Sequence, residues 1–295
     1  MATADETNYL RNLFDALRDE PLSPTDSRYV SIYDRPVLAA SAPIARLTRV
    51  IQFSSVGSAH LLVGARGVGK STELRGLHRD LLSEGHVSLL VDVADRLDLA
   101  SPIEVPEFFL HLTAAVGEHL LAEGVLTEAQ FKGRYPAELR AVLKGAGGEE
   151  IPFTPLHPEA RIGGGTRAAV DPSTRTRLLQ RLRELERELL AGVRDFFRLC
   201  VFEVRRTRGI DARLVLLVDS LDHVRGTAAT QAEVQASVER FLLAGALTLS
   251  EAGLHVVYTA PLWLQVRRAS ALRQFDGVES LAAIHVTRGD SGGAF

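Results

Sequence analysis

The run LLVGARGVGKST, residues 61 to 72, constrains the fold of this chain more than any other stretch of its sequence. The segment His60 to Gly64, at its start, has the leucine and valine content of a buried strand. After it, STELRGLHRDLLSEG is a predicted helix that ends at Gly85, with Leu74, Leu77, Leu81 and Leu82 on one face. A glycine-rich turn between a strand and a helix predicts a β-α-β unit, and therefore a parallel sheet.

Four further apolar runs have the length of buried parallel strands. They are Val87 to Val93, Leu214 to Asp219, Leu254 to Thr259 and Ala283 to Val286. Amphipathic segments lie between several of them, for example residues 231 to 253, between the third run and the fourth along the chain. The alternation predicts an α/β fold of three layers, in which helices cover both faces of a five-stranded parallel sheet.

The spacing of the strands also predicts a division of the chain. Residues 59–128 and 210–288 would form the core, residues 1–58 a helical N-terminal lead-in, residues 129–209 a mostly helical insertion and residues 289–295 a tail. In the lead-in, Glu6 to Arg18 reads as a helix with Leu10, Leu13, Phe14 and Leu17 on one side. In the insertion, a long amphipathic helix is expected from Thr174 to Arg208, after a segment rich in glycine and proline.

Composition excludes several classes of protein. The longest apolar runs fall short of the roughly 18 residues of a membrane span, and MATADETNYLRN lacks the order of a secretion signal, so we expect a cytoplasmic protein without a membrane partner. Cys200 is the only cysteine and lies in the apolar string FFRLCVF, which favours a buried thiol. None of the nine histidines has the spacing of a zinc site. A net charge of -3 gives no global preference for nucleic acid.

The glycine-rich run has a chemistry that its residue types specify. It contains the spacing G-x-x-x-x-G-K-S, which is typical of a loop that wraps a phosphate. Glycines let backbone N–H groups turn toward an anion, the following helix directs its partly positive end there, and the lysine adds a full charge. The alternative is a turn of this kind without a ligand. We expect ATP, or else GTP, on nine residues: Gly64, Ala65, Arg66, Gly67, Val68, Gly69, Lys70, Ser71 and Thr72.

Mg²⁺ bound with such a nucleotide needs oxygen ligands besides the phosphates. Ser71 offers a hydroxyl, and Asp219 follows the apolar run LVLLV, where a buried strand emerges at the ligand-binding edge of a sheet. We expect both at the metal, Asp219 through a water molecule; the alternative is that Asp219 only caps the next turn. Asp222 either polarises the attacking water or hydrogen-bonds the loop, and the sequence favours neither.

These segments resemble the motifs of a known family, the P-loop ATPases of the additional-strand class, and within it the STAND and AAA+ group. GARGVGKST is similar to the Walker A motif of that group, and LVLLVDSLD to its Walker B motif. The resemblance covers the core alone and implies a sheet with the strand order 5-1-4-3-2. It also implies that Thr259, at the end of the fourth strand, is the sensor 1 residue, so that the catalytic set is Lys70, Asp219, Asp222 and Thr259.

The sequence also departs from the pattern of that group. Ser220 stands where many AAA+ ATPases have a glutamate, which implies slow hydrolysis with Asp222 as the fallback base. Ala260 and Pro261 stand where STAND proteins often have an arginine, and the chain ends in GDSGGAF where the group continues into a helical lid, so we expect a lid that is lost, supplied by another chain or cut off in a fragment.

The resemblance favours a regulatory ATPase switch or assembly module, with a protein partner or a second copy of the chain. A nucleotide-stabilised scaffold with negligible hydrolysis is one alternative. A nucleic-acid-associated ATPase is another, because residues 175 to 213 carry eleven arginines against six acidic residues. The favoured interpretation of these arginines is that they pair along a helix with Glu184, Glu186 and Glu188. A small-molecule kinase is the fourth candidate function.

Two further site positions have open roles. Either Tyr29 or Tyr33 stacks on the adenine, or it packs in its own loop. Arg66 clamps a phosphate, reaches a neighbouring subunit or has no role.

Overall fold

The protein is an α/β structure built around one parallel sheet. The computed structural model describes residues 8–11, 13, 21–26, 29, 42–95, 101–134, 180, 183–184, 186–267 and 271–281. Its strands are β1 Ser58–Gly64, β2 Val87–Asp92, β3 Leu214–Asp219, β4 His255–Pro261 and β5 Gly277–Leu281. Its helices are α1 Pro43–Phe53, α2 Lys70–Ser83, α3 Val105–Ala122, α4 Glu128–Arg134, α5 Glu186–Arg208, α6 Gln231–Glu251 and α7 Leu262–Arg267. Short 3₁₀ turns span Val93–Asp95, Leu221–His223 and Ala271–Gln274.

The five strands are hydrogen-bonded in the order β2-β3-β4-β1-β5, and every pairing is parallel. Read from the β5 edge, this order is β5-β1-β4-β3-β2, which is the expected sequence 5-1-4-3-2. Because all strands point the same way, their carboxyl ends meet at one edge of the sheet. Gly64, Asp92, Asp219 and Pro261 are the last residues of the first four strands, and all lie at that edge.

The position of the fifth strand differs from the expectation. The predicted run, Ala283 to Val286, lies outside the described residues, and the strand beside β1 is Gly277–Leu281. Its sequence, GVESL, has only two large apolar residues, and its residues are mostly half-buried, as befits the edge of a sheet. The sequence pattern therefore favoured the more apolar run Ala283 to Val286, which follows β5 along the chain.

Helices cover both faces of the sheet because strands β1 to β4 are largely apolar on both sides. On one face, α1 and α2 pack through buried residues that include Leu47, Ile51, Leu74 and Leu77. The other face carries a larger core, formed by the sheet with α3, α5 and α6. Neighbouring residues of one strand divide between the two faces, as Leu61 and Leu62 do.

The segment between β2 and β3 supplies much of the larger core. Helix α3 packs against α5, and the buried apolar face of α5 includes Leu189, Val193 and Phe196. Of these, Leu189 and Phe196 belong to the leucine and phenylalanine spacing that predicts the helix. Phe108 contacts Phe241 of α6 edge to face, with ring centroids 4.4 Å apart. Residues 174 to 179 of the predicted long helix lie outside the described part of the chain. Among the described residues, no helix has both the length and the apolar composition that a bilayer crossing requires.

Candidate functional site

The loop from Gly64 to Gly69 joins β1 to α2 at the carboxyl edge of the sheet. A Cβ atom on Gly64 would lie 2.8 Å from Cγ1 of Val68, so a side chain there would displace the loop. Gly67 and Gly69 have φ angles of 78° and 94°, in the left-handed region that residues with a side chain seldom adopt. Gly69 is also the N-cap of α2 and offers no side-chain cap to the first N–H groups of that helix. The backbone donors at this helix end are thus arranged as in an anion site.

Lys70 places its ammonium group inside this loop. Its Nζ donates hydrogen bonds to the carbonyl oxygens of Gly64, at 3.0 Å, and Ala65, at 2.8 Å. It also forms an ion pair with Oδ2 of Asp222 at 3.0 Å, and both side chains are buried, with 3% and 8% of their surfaces exposed. A buried ammonium group needs such partners because of the cost of removing it from water. The loop therefore holds its positive charge at a fixed place.

A pair of aspartates lies beside the loop. Asp92 and Asp219 are partners in the β2–β3 register and end their strands together. Burial raises the pKa of the Asp219 carboxyl and the charge of Asp92 adds to the rise, while hydrogen bonds from Ser71, the Ser220 N–H and Thr259 oppose it. The structure thus brings together three predicted site residues: Ser71, Asp219 and Thr259.

These oxygens fit the requirements of Mg²⁺ in part. Ser71 supplies a hydroxyl and Asp219 and Asp92 supply carboxylates, and Mg²⁺ takes oxygen ligands while keeping several waters or phosphates. Within the described residues, no group of three or more His, Cys, Asp or Glu side chains converges as a metal cage. The protein oxygens would therefore complete a metal shell supplied largely by a bound phosphate and water.

The segment after β3 brings Asp222 to the lysine. Ser220 has a φ of 68°, the only positive φ at a non-glycine residue in the described chain, and it is buried. Its N–H donates to Oδ1 of Asp219 at 2.8 Å, and its carbonyl accepts from the N–H of His223 at 3.0 Å. This reversal starts the 3₁₀ turn Leu221–His223 and directs Asp222 toward Lys70.

The lead-in lies against the first turns of α2. The N–H of Leu22 donates to Oγ1 of Thr72 at 3.2 Å, and Nη1 of Arg75 donates to the carbonyl of Pro21 at 2.6 Å. The hydroxyl of Tyr29 donates to Oε1 of Glu73 at 3.3 Å. Tyr29 therefore lies close to the loop, whereas Tyr33 is outside the described residues.

The remaining predicted positions lie around the opening of the loop. Ala65, Arg66 and Gly67 are exposed at its tip, and Val68 is half-buried against Gly64. Sequence reasoning missed Asp92, although VSLLVD carries the same signal as LVLLVD, an aspartate directly after a buried apolar strand. The contacts of Pro21 and Leu22 had no comparable signal, because backbone groups make them.

Fold and site together define an all-parallel α/β protein with a glycine-rich strand-to-helix loop, a buried lysine paired with Asp222, and two more aspartates, Asp92 and Asp219, at the ends of neighbouring strands. A comparison with protein-family profiles finds no match for this chain, and a comparison with curated proteins finds no relative. Functional assignment therefore depends on the residues themselves.

Proposed function

We propose that this protein binds ATP together with Mg²⁺ on residues 64 to 72 and acts as a nucleotide-controlled switch or assembly module. The observation that carries the proposal is the position of Lys70, whose ammonium group lies inside the glycine loop at the uncapped start of α2. Two phosphates of a nucleotide would take over the contacts that Asp222 now provides, while Ser71 and Asp219 would hold the metal. GTP fits the same contacts, because none of them involves the base.

Hydrolysis is the part of the proposal that depends most on Asp222. In the AAA+ resemblance, Ser220 replaces the usual glutamate, and Asp222 is engaged by Lys70. Slow turnover is expected, because a carboxylate that neutralises the lysine is a poor base until the nucleotide displaces it. A scaffold with negligible hydrolysis is the second candidate, and the same ion pair favours it.

The ion pairs of the arginine-rich stretch count against a nucleic-acid track. Several of its arginines are engaged by acidic side chains of the same molecule, which lowers the charge available to phosphates. These pairs are Arg183 with Glu104, Arg194 with Glu251, Arg198 with Asp195, Arg206 with Glu203 and Arg208 with Glu123.

The binding proposal is tested by titrating the purified protein with ATP and with GTP, with and without Mg²⁺, in a calorimeter. Lys70→Ala should weaken binding at least about a hundredfold, because it removes a buried charge from the phosphates. Arg79→Ala is the matched control, since Arg79 is an exposed cation on the same helix and should leave affinity unchanged. Wild-type protein that binds neither nucleotide would refute the proposal.

The variant Asp219→Asn tests both the proposed Mg²⁺ site and the hydrolysis of the nucleotide. This variant should abolish the tightening of nucleotide binding by Mg²⁺, since it removes the carboxylate charge beside Ser71. Phosphate release measured over many turnovers then separates the switch from the scaffold. Phosphate release by the wild type that is abolished in Asp219→Asn supports an ATPase. Nucleotide binding without phosphate release supports the scaffold. Release stimulated by DNA or RNA at low salt would instead favour the nucleic-acid alternative.

A further inference from the structure

A groove lies at the end of the molecule opposite the glycine loop. It has a volume of about 800 Å³ and is lined by the loop before β1, the second half of α5 and the turn before β4. Gly57 and Gly253, which line it, precede the amino ends of β1 and β4. The seven residues of β1 separate it from the loop by about 23 Å, at ~3.3 Å per residue. We call it the basal groove.

The basal groove is apolar and exposed. Val56, Phe202 and Ile210 line it with 69%, 61% and 76% of their surfaces accessible to water. Phe53, three residues before Val56, is also exposed. Large apolar side chains that cluster at the surface and line a concave site are typical of a protein-binding surface.

The basal groove is also basic. Arg198, Arg205 and Arg206 line it together with one acid, Glu251, and that acid pairs with Arg194. Residues 194 to 213 as a whole carry six arginines and three acidic residues, a local charge of +3. Acids of the same helix pair with Arg198 and Arg206, yet more than half of each arginine side chain remains exposed and each guanidinium has further donors. The partner that fits this surface is therefore an acidic segment with large apolar anchors.

The N-terminus of the chain has that chemistry. Residues 1 to 20 contain five acidic residues and two arginines, a charge of -3. Leu10, Leu13, Phe14 and Leu17 stand at positions i, i+3, i+4 and i+7, the anchor spacing of a helix that binds in a groove. Where the structure describes this segment it is helical, and Leu10 and Leu13 are 58% and 42% exposed.

The segment is tethered away from the groove of its own chain. Pro21 and Leu22 are held at the first turns of α2, which packs on the opposite face of the sheet from α5 and α6. Arg18, the predicted end of the helix, is three residues from Pro21, and three residues of fully extended chain span at most about 10 Å. A helix that ends at Arg18 would therefore be tethered near the first turns of α2, on the other face and at the other end of the sheet from the basal groove.

We propose that the predicted helix Glu6 to Arg18 of one copy binds in the basal groove of a second copy, so that the protein assembles head to tail. The two surfaces differ, so the contact is heterologous and extends to a ring or to a filament. The proposal is independent of nucleotide, because the groove and the glycine loop share no residue.

The test measures molar mass by light scattering and sedimentation, without nucleotide, over a wide range of protein concentration. Wild-type mass should rise with concentration, whereas the double variant Leu10→Glu with Leu13→Glu and the single variant Phe202→Glu should each remain monomeric. Val266→Glu is the control, since Val266 is 78% exposed and does not line the groove. A wild-type protein that is monomeric throughout, or either variant associating like wild type, would overturn the proposal.

Complementation separates a head-to-tail contact from a symmetric one. The Leu10/Leu13 variant keeps an intact groove and the Phe202 variant keeps an intact helix, so their mixture should form a one-to-one complex that neither forms alone. A mixture that stays monomeric contradicts the proposal. A labelled peptide of residues 1 to 20 should also bind the Leu10/Leu13 variant, and Ile210→Glu introduced into that variant should weaken binding about tenfold. Unchanged peptide affinity would count equally against it, since Ile210 is exposed and its replacement should leave the fold intact.

Discussion

The ion pair between Lys70 and Asp222 holds two opposite charges 3.0 Å apart where both side chains are shielded from water. Each charge stabilises the other there, and loss of either leaves an uncompensated buried charge. A phosphate arriving at the loop competes with the Asp222 carboxylate for the same ammonium group. If the loop binds a nucleotide as proposed, Asp222 would oppose that binding, in addition to any part it plays in hydrolysis.

We expect Asp222→Asn to lower the melting temperature of the nucleotide-free protein and to raise its affinity for ATP about tenfold. The neutral amide leaves the buried charge of Lys70 without a counter-charge, which in comparable buried ion pairs costs about 3 kcal/mol of stability. A bound phosphate would restore the missing negative charge. Calorimetric titration and thermal unfolding, with and without ATP, measure both effects. Affinity that stays the same while phosphate release falls would assign Asp222 to the attacking water instead.

Sequence and structure agree best at residues whose place follows from strand ends. Ser71 and Asp219 could be placed together because a loop after β1 and an acid after β3 must meet at one edge of a parallel sheet. The partner of Asp222 could not be predicted, since it depends on the left-handed backbone at Ser220, which the residue type does not favour.

At the scale of elements, the start of α2 requires a glycine, whereas the interior of the same helix merely tolerates one. Gly69 has a φ of 94° at the start of α2, while Gly76 lies inside the same helix with open space where a Cβ atom would be. We expect Gly69→Ala to destabilise the protein by about 1 kcal/mol and to weaken ATP binding, because an L-residue strains the left-handed turn.

Gly76→Ala should have the opposite effect on stability, a gain of about 0.5–1 kcal/mol, because alanine favours the helical backbone and meets no neighbour. Urea unfolding of both variants measures these changes, and ATP affinity should fall only for Gly69→Ala. Two variants that shift stability in the same direction would contradict the role given to the loop geometry.

The elements that sequence patterns located well are those buried on both sides. Strands β1 to β4 were predicted within a few residues, since a run apolar on both faces has no other stable place in an α/β fold. Strand β5 was misplaced because an edge strand is covered less and its sequence, GVESL, has no strong apolar signal. Leu82, expected on the buried face of α2, is 47% exposed, because the face is narrower than the leucine pattern suggested.

At the scale of the whole molecule, five buried or half-buried histidines make the fold sensitive to acid. Burial is the largest cause of a lowered pKa at His60, His78, His86, His119 and His255. His255 is fully buried and shares a 2.8 Å hydrogen bond between its Nδ1 and the Ser58 hydroxyl oxygen. Burial, reinforced by the charges of Arg213 and Arg205, lowers its pKa to about 3. At mildly acidic pH, His255 is neutral in the fold and charged in the unfolded chain, and the other four histidines bind a proton less readily in the fold than in the unfolded chain.

The sign of the resulting pH dependence follows from proton binding. Below the unfolded pKa of about 6.5, the unfolded chain binds protons that the folded chain does not, so stability is present in full above that pH and is lost as pH falls toward the folded values. Each such histidine contributes a slope of up to about 1.4 kcal/mol per pH unit. Asp219 acts in the opposite sense, because its raised pKa makes the fold bind a proton more readily, but in the range where carboxyl groups titrate.

We therefore expect the free energy of unfolding in urea to fall steadily from pH 7 to pH 5, and His255→Gln to remove about one histidine's share of that slope. At pH 8 histidine is neutral in both states, so the difference between variant and wild type at that pH gives the packing cost alone and serves as the internal control. Far-ultraviolet circular dichroism at each pH measures the unfolding transition. If the variant and the wild type have the same slope between pH 7 and pH 5, His255 takes up its proton in the fold as readily as in the unfolded chain. That result would contradict the lowering of its pKa by burial beside Arg213 and Arg205.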